Sequence, residues 1–216
     1  MTAMLLIFDL DGTLFKAKPV CLSADYKLLE EWGVPAPDEA TLLKNAGCGV
    51  GPLLQSILPD GADIGAARAR YIELVREEII GSGELFPGAL EAVRQLKDEG
   101  HELAVCSNSP GEYIKTVLEH TGIAGVFARY YSAEGHATKA GIVRGIVAQS
   151  GWNAGKAPAP AVIGDTHGDI EAAHANGLIA IAAMYGYGNK AMLAAADYFA
   201  GTPEEIVSCV HSYLRN

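Results

Sequence analysis

The chain has 216 residues, half of them apolar, which is enough for one sizeable domain or for a core with a modest second domain. It carries 16 basic and 26 acidic residues, a formal net charge of -10 at pH 7, without any basic run. This balance disfavours nucleic acids and anionic membranes as partners, and it suits a divalent cation.

The four cysteines are scattered and form no pair with the spacing of a metal site or a disulfide framework, which indicates a reduced, cytoplasmic setting. The amino terminus has neither a positively charged segment nor a small-residue cleavage site, so no signal peptide is predicted. The longest apolar stretch, LIAIAAMY, is too short to cross a bilayer. We therefore expect a cytoplasmic protein, and the sequence predicts no particular oligomeric state.

The pattern along the chain alternates between short apolar runs and helical periods. The apolar runs are LLIFD, LAVCS, PAVIGD and IAIAAMY. The helical patterns that follow them are GALEAVRQLKDEG, PGEYIKTVLEHTG and DIEAAHANG, the last with Asp169 as predicted N-cap. Buried parallel strands with crossover helices have this pattern, so a doubly wound parallel α/β sheet is predicted.

One region departs from the alternation. Residues 16–84 contain the helical patterns SADYKLLEEWG and GAARARYIELVREEII but no convincing buried strand. We predict an α/β core domain formed by residues 1–15 and 85–216, with an all-helical domain inserted at 16–84.

Several polar residues stand after the predicted strands or at the start of a helix. They are Asp9, Asp11, Ser107, Asn108, Lys139, Asp165 and Asp169. Ligands of an open α/β sheet bind beyond the carboxyl ends of its strands, near the point where the strand order reverses. Carboxylates there can hold Mg²⁺ and one of them can attack phosphorus, while a lysine and hydroxyl groups balance the charge of the transferred oxygens.

These residues lie in four ordered motifs: DLDGT at 9–13, SNS at 107–109, TKAG at 138–141 and GDTHGD at 164–169. In these motifs the chain resembles the haloacid dehalogenase (HAD) superfamily, whose members are mostly magnesium-dependent phosphatases. The resemblance covers nearly the whole chain. It implies a Rossmann-like core, and the helical insertion is similar to the cap domain of the phosphoglycolate phosphatase-like branch, which opens and closes.

The resemblance also implies catalytic roles for the two aspartates of the first motif. Asp9 would be the nucleophile that forms an aspartyl-phosphate. Asp11 would be the general acid for the leaving alcohol and then the general base for the hydrolytic water. Gly12 would let the backbone turn tightly, so that both carboxylates face one pocket.

By the same resemblance, the remaining motif residues would bind metal or phosphate. Magnesium would be held by the Asp9 carboxylate, the Asp11 backbone carbonyl and Asp165. Asp169 would complete the shell or orient Lys139. The phosphoryl oxygens would be bound by a group that comprises Ser107, Asn108 and Lys139.

The implied function is that of a cytoplasmic magnesium-dependent phosphatase acting on a small phosphomonoester such as phosphoglycolate or a sugar phosphate. Haloacid dehalogenases lack the second aspartate, so Asp11 favours a phosphatase or a phosphomutase. The alternatives are a β-phosphoglucomutase-like phosphomutase and, in a different class, a non-enzymatic phospho-receiver or phosphometabolite-binding module. A receiver has adjacent acids on its first strand and no inserted helices, which argues against that class.

The physiological substrate is not predicted, because specificity in this superfamily lies in cap loops. Within the insertion, Lys44 stands beside a glycine-rich stretch and is a candidate for contacting a substrate anion. The alternative interpretation of Lys44 is a solvated lysine beside a turn.

Overall fold

The computed structural model describes residues 2–44, 49–132, 138–153, 155 and 157–215. The chain divides into two compact units. The core unit comprises Met1–Lys16 and Leu85–Asn216, and the inserted unit comprises Ala17–Glu84. The role of the insertion as a cap remains a prediction.

The inserted unit contains four helices and, within its described residues, no strand. The helices are α1 (Ala17–Glu31), α2 (Glu39–Lys44), α3 (Val50–Ile57) and α4 (Ile64–Ser82). The long helices α1 and α4 pack against each other through buried residues that include Leu28 and Leu74. At the start of α4 the Asp63 side chain accepts a hydrogen bond from the amide of Ala66 at 3.0 Å, which caps the helix.

A buried carboxyl group lies between these two helices. Asp25 of α1 is only 4% exposed and is hydrogen-bonded to the Tyr71 hydroxyl of α4. Its Oδ1 atom has no hydrogen-bond partner in the described part of the chain. Burial raises the pKa of Asp25 to about 6, and the bond from Tyr71 offsets part of that rise.

Replacing Asp25 with asparagine is expected to stabilise the protein above pH 6. The native pKa of about 6 exceeds the unfolded value of roughly 3.9, so the stability that this carboxyl contributes below pH 4 is lost as the pH rises through 6. Urea unfolding should therefore show Asp25→Asn more stable than the wild type by up to roughly 3 kcal/mol at pH 8, with the difference vanishing near pH 4. The exposed Asp60→Asn is the matched control, and a pH-independent difference for Asp25→Asn would contradict the expectation.

The core unit contains a six-stranded sheet in which every neighbouring pair is parallel. Its strands are β1 (Leu5–Phe8), β2 (Glu102–Ser107), β3 (Arg129–Ser132), β4 (Ala161–Gly164), β5 (Ile179–Ala183) and β6 (Tyr198–Ala200). The strand order is β3-β2-β1-β4-β5-β6, so the order reverses between β1 and β4. The predicted doubly wound parallel sheet is confirmed.

The central strand β1 pairs with β2 on one side and with β4 on the other, at the point where the strand order reverses. All four of its residues are buried, as expected for a strand with helices on both faces. Phe8 pairs with Val105 of β2 and with Ile163 of β4. The amide of Asp9 then donates to the Ile163 carbonyl at 2.8 Å, which aligns the ends of β1 and β4.

The two edge strands, β3 and β6, were not predicted from the sequence. The segment RYYS of β3 is exposed or half-buried, and β6 has only three residues, one of them the exposed Phe199. Strands with one free edge do not need the continuous apolar run that identifies a central strand.

Five helices and one short 3-10 turn, Lys190–Leu193, complete the described core unit. The helices are α5 (Ala89–Asp98), α6 (Gly111–His120), α7 (Lys139–Ser150), α8 (His167–His174) and α9 (Pro203–Arg215). The first of these, α5, packs with α9, whereas α7 and α8 pack together over an apolar cluster that includes Ile7, Val143 and Ile170. Cys106 belongs to this cluster, and burial raises the pKa of its thiol to about 12, in agreement with a packing role.

Candidate active site

Three buried carboxylates meet at the point where the strand order reverses. Asp9 directly follows β1, Asp165 directly follows β4, and Asp169 lies in the first turn of α8. Each offers an oxygen within 4.8 Å of an oxygen of the other two. They are 6%, 1% and 0% exposed, so water screens their mutual repulsion poorly.

Lys139 supplies the positive charge that contacts this cluster. It is the first residue of α7, and Thr138 caps that helix by accepting a hydrogen bond from the amide of Gly141 at 3.2 Å. The ammonium group lies 2.5 Å from Asp9 Oδ1 and also forms an ion pair with Asp169 Oδ1. Its side chain is 8% exposed, so both ion pairs are buried.

Among the described residues, Lys139 is the cation that pairs with this cluster of three carboxylates, so the cluster is short of positive charge. Burial raises the pKa of Asp9 well above its usual value; the Lys139 charge opposes this rise and the neighbouring carboxylates add to it. Burial by itself would lower the pKa of Lys139, but the charges of Asp9 and Asp169 raise it, so the lysine is held in its charged form. Among the described residues, ionisation of all three carboxylates would leave two negative charges without a counter-charge, and a bound dication would offset them.

Asp165 is oriented by backbone amides that the sequence analysis missed. The amides of Tyr187 and Gly188 donate to Asp165 Oδ2 at 2.7 and 3.2 Å. Burial raises the pKa of Asp165 to about 6, while these two donors act in the opposite direction. The position of these two amides depends on the path of the chain after β5 and not on side-chain type. In the sequence, the glycine-rich segment YGYG is the one signal that could have indicated them.

The predicted N-cap position of Asp169 is wrong. The N-cap of α8 is Thr166, three residues earlier, and the helix begins at His167. Asp169 Oδ2 instead accepts hydrogen bonds from the amide and the hydroxyl of Thr166, at 3.0 and 2.7 Å. The carboxylate of the third helical residue thus reaches back to the cap, as in a capping box, while its other oxygen pairs with Lys139.

Two glycines leave the space that the carboxylates occupy. Gly12 has φ of 90°, and a Cβ atom there would lie 2.3 Å from Asp165 Oδ2. A Cβ atom on Gly164 would lie 2.1 Å from Asp169 Cγ. Any side chain at either position would displace a member of the cluster.

The second aspartate of the first motif is surrounded by hydroxyl groups. Asp11 accepts hydrogen bonds from the hydroxyls of Ser109 at 2.6 Å and Tyr113 at 2.7 Å. Burial raises the pKa of Asp11, and these two hydrogen bonds oppose the rise. Neither Ser109 nor Tyr113 was predicted as a site residue, although Ser109 lies within the SNS motif.

The other predicted site residues occupy different environments. Ser107 is buried at the end of β2, and its hydroxyl accepts a hydrogen bond from the Ser109 amide at 3.1 Å. Asn108 is exposed beyond the end of that strand. Lys44 is the last residue of α2, and its side chain lies outside the described part of the structure. The roles of all three remain predictions.

Comparison with known proteins identifies the family. The model of a family described as haloacid dehalogenase-like hydrolase matches residues 6–183, which is most of the chain. The chain belongs to this family. The sequence-based assignment to the HAD superfamily, and to its hydrolases, is therefore confirmed.

Relatives of known name match this HAD chain over nearly its whole length. A phosphoglycolate phosphatase from Aquifex aeolicus is 30% identical, with 97% of each chain covered. A phosphoglycolate phosphatase from Synechococcus elongatus is 25% identical over 97% of this chain and 98% of its own. A HAD-like family hydrolase from Streptococcus pneumoniae has a TM-score of 0.81 at 23% identity, covering 96% of this chain and 98% of its own, which shows the shared fold.

Proposed function

We propose that this HAD hydrolase is a magnesium-dependent phosphatase that hydrolyses a small phosphomonoester through an aspartyl-phosphate intermediate. The observation that carries the proposal is the group of three buried carboxylates with Lys139 at the reversal point of the sheet. Such a site holds a nucleophile, oxygen ligands and a fixed positive charge together. Phosphoryl transfer requires mainly alignment and charge stabilisation, and these groups supply both.

The donor set fits magnesium. The ligands are hard oxygen atoms, as Mg²⁺ prefers, and a bound dication would balance the charge of the three ionised carboxylates together with Lys139. Asp9, Asp165 and the Asp11 backbone carbonyl would hold the ion, with Asp169 completing the shell or orienting Lys139. When bound, the ion would neutralise charge on the phosphoryl group.

The protein residues would divide hydrolysis into two displacements. A carboxylate oxygen of Asp9 attacks phosphorus, and the bond to the leaving alcohol oxygen breaks as Asp11 protonates that oxygen. In the second displacement Asp11 takes a proton from water, whose oxygen attacks phosphorus and releases phosphate and free Asp9. Lys139 and Ser107 would hold the phosphoryl oxygens, and Asn108 is proposed for the same role.

Phosphoglycolate is the first substrate to test, because relatives matched over nearly the full chain carry the name phosphoglycolate phosphatase. Sugar phosphates are the next substrates to test. The deciding experiment is a phosphate-release screen of the full chain with magnesium over a panel of phosphorylated metabolites and p-nitrophenyl phosphate. Catalytic release supports the phosphatase, whereas conversion of one sugar phosphate isomer to another would indicate the phosphomutase. Stoichiometric labelling by acetyl phosphate without turnover would indicate the receiver module.

Removal of divalent metal is expected to lower the rate with p-nitrophenyl phosphate by at least about 100-fold, because metal charge stabilisation contributes several kcal/mol. Adding magnesium to the chelated protein should restore the rate. Asp165→Asn should need a higher magnesium concentration for half-maximal activity, because it removes one anionic ligand. Full turnover in the presence of chelator would contradict the proposed metal role.

A further inference from the structure

Both carboxylate oxygens of Asp11 are engaged by side chains outside its own motif. Ser109 Oγ donates to Oδ2 at 2.6 Å, and the Tyr113 hydroxyl donates to Oδ1 at 2.7 Å. One donor lies in the loop after β2 and the other in the first turn of α6. A carboxylate that accepts hydrogen bonds at both oxygens cannot rotate freely about its terminal torsion, so these two groups, together with a weaker contribution from the Ser107 side chain, restrict the orientation of its plane.

The serine donor is itself held in place. Its amide donates to Ser107 Oγ at 3.1 Å, and its carbonyl accepts from the hydroxyl of Ser132, at the end of β3, at 2.7 Å. Ser109 is thereby tied to two neighbouring strands of the sheet. Although Ser109 lies in a loop, its position is set by hydrogen bonds to residues at the ends of β2 and β3.

The tyrosine donor is held by ring packing. The Tyr113 ring contacts Phe15 edge to face, with ring centroids 6.4 Å apart. Phe15 is fully buried in the core unit. Replacing the tyrosine with phenylalanine would keep this contact and remove only the hydroxyl group, which makes the hydrogen bond separately testable.

We infer that Ser109 and Tyr113 are positioning residues, which orient the Asp11 carboxyl group for proton transfer to the leaving-group oxygen. This inference rests on the proposed phosphatase function. General acid catalysis requires the acid to lie within hydrogen-bond reach of the oxygen that it protonates and to point at it. The hydroxyls of Ser109 and Tyr113 set that direction through their hydrogen bonds to Asp11.

The inference predicts an effect that depends on the leaving group. An alkyl alcohol leaves poorly unless it is protonated, whereas p-nitrophenolate leaves without an acid. The ratio kcat/KM covers the steps up to departure of the leaving group. A misdirected Asp11 should therefore slow alkyl phosphates more than p-nitrophenyl phosphate, whereas general damage to the site would slow both equally.

The experiment compares Tyr113→Phe and Ser109→Ala with the wild type on p-nitrophenyl phosphate and on the alkyl phosphate turned over best in the metabolite screen. We expect kcat/KM for the alkyl phosphate to fall about tenfold in each variant, and that for the aryl phosphate to fall no more than about twofold. Asp11→Asn should show the same selectivity with a larger fall. The matched control is Tyr131→Phe, which removes a hydroxyl that donates to Gln149 at the surface and should change neither value.

The possible outcomes separate this inference from the proposed function. Equal falls for the two substrates, or no fall, in folded Tyr113→Phe and Ser109→Ala would overturn the positioning role while leaving the phosphatase intact. If one variant does not fold, as judged by thermal unfolding, the other decides alone. A wild-type protein that hydrolyses neither substrate with magnesium would overturn the proposed function and this inference with it.

Discussion

Replacing Asp9 with asparagine is expected to lower phosphatase turnover by at least about 10⁴-fold, with magnesium present. The amide keeps the shape of the side chain but removes the nucleophilic oxygen charge, so no aspartyl-phosphate can form. The measurement is phosphate release from p-nitrophenyl phosphate under saturating conditions. Turnover at the wild-type rate would remove Asp9 from the nucleophile role.

A measurement of thermal stability distinguishes a loss of the chemical step in Asp9→Asn from a loss of the folded structure. Asp9 is one of three buried carboxylates that lie close together, and Asp169 would still pair with Lys139 in its absence, so removing the Asp9 charge relieves repulsion. In metal-free buffer the thermal midpoint of Asp9→Asn should therefore be no lower than that of the wild type. Asp98→Asn, an exposed aspartate at the end of α5, is the matched control and should alter neither turnover nor stability.

Replacing Lys139 with methionine is expected to lower both activity and stability. Turnover should fall by about 10²–10³-fold, because a charged donor to the phosphoryl oxygens is lost. In metal-free buffer the free energy of unfolding should fall by roughly 3–5 kcal/mol, since Asp9 and Asp169 are left buried without their counter-charge. Urea unfolding measures the second effect independently of any activity.

The matched control for this variant is Lys115→Met, which removes an exposed lysine of α6. It should leave both turnover and the free energy of unfolding close to the wild-type values. Magnesium should restore part of the stability of Lys139→Met, because a dication supplies the missing positive charge. An unchanged free energy of unfolding in Lys139→Met would mean that this ammonium does not stabilise the carboxylates.

The sequence allowed a strand or helix to be located where neighbouring residues alone carry the pattern. A strand buried on both faces, such as β1, must be continuously apolar, so its position and the acids after it could be predicted. The start of α7 at Lys139 could be predicted as well. Local reasoning failed for the edge strand β3, which is not covered on both faces, and for the start of α8, where Asp169 is a plausible cap by residue type alone.

The sequence by itself determined the fold class, the family and the set of acids and lysine offered at the strand ends, because burial periodicity and motif spacing are properties of neighbouring residues. Only the tertiary structure decided which atoms of these groups are in contact, and it added the contacts of Asp11 with Ser109 and Tyr113. Lys139 meets Asp9 across 130 positions, and Tyr113 meets Asp11 across 102. Such contacts depend on strand order and helix packing, which bring distant segments together in a way that no local pattern encodes.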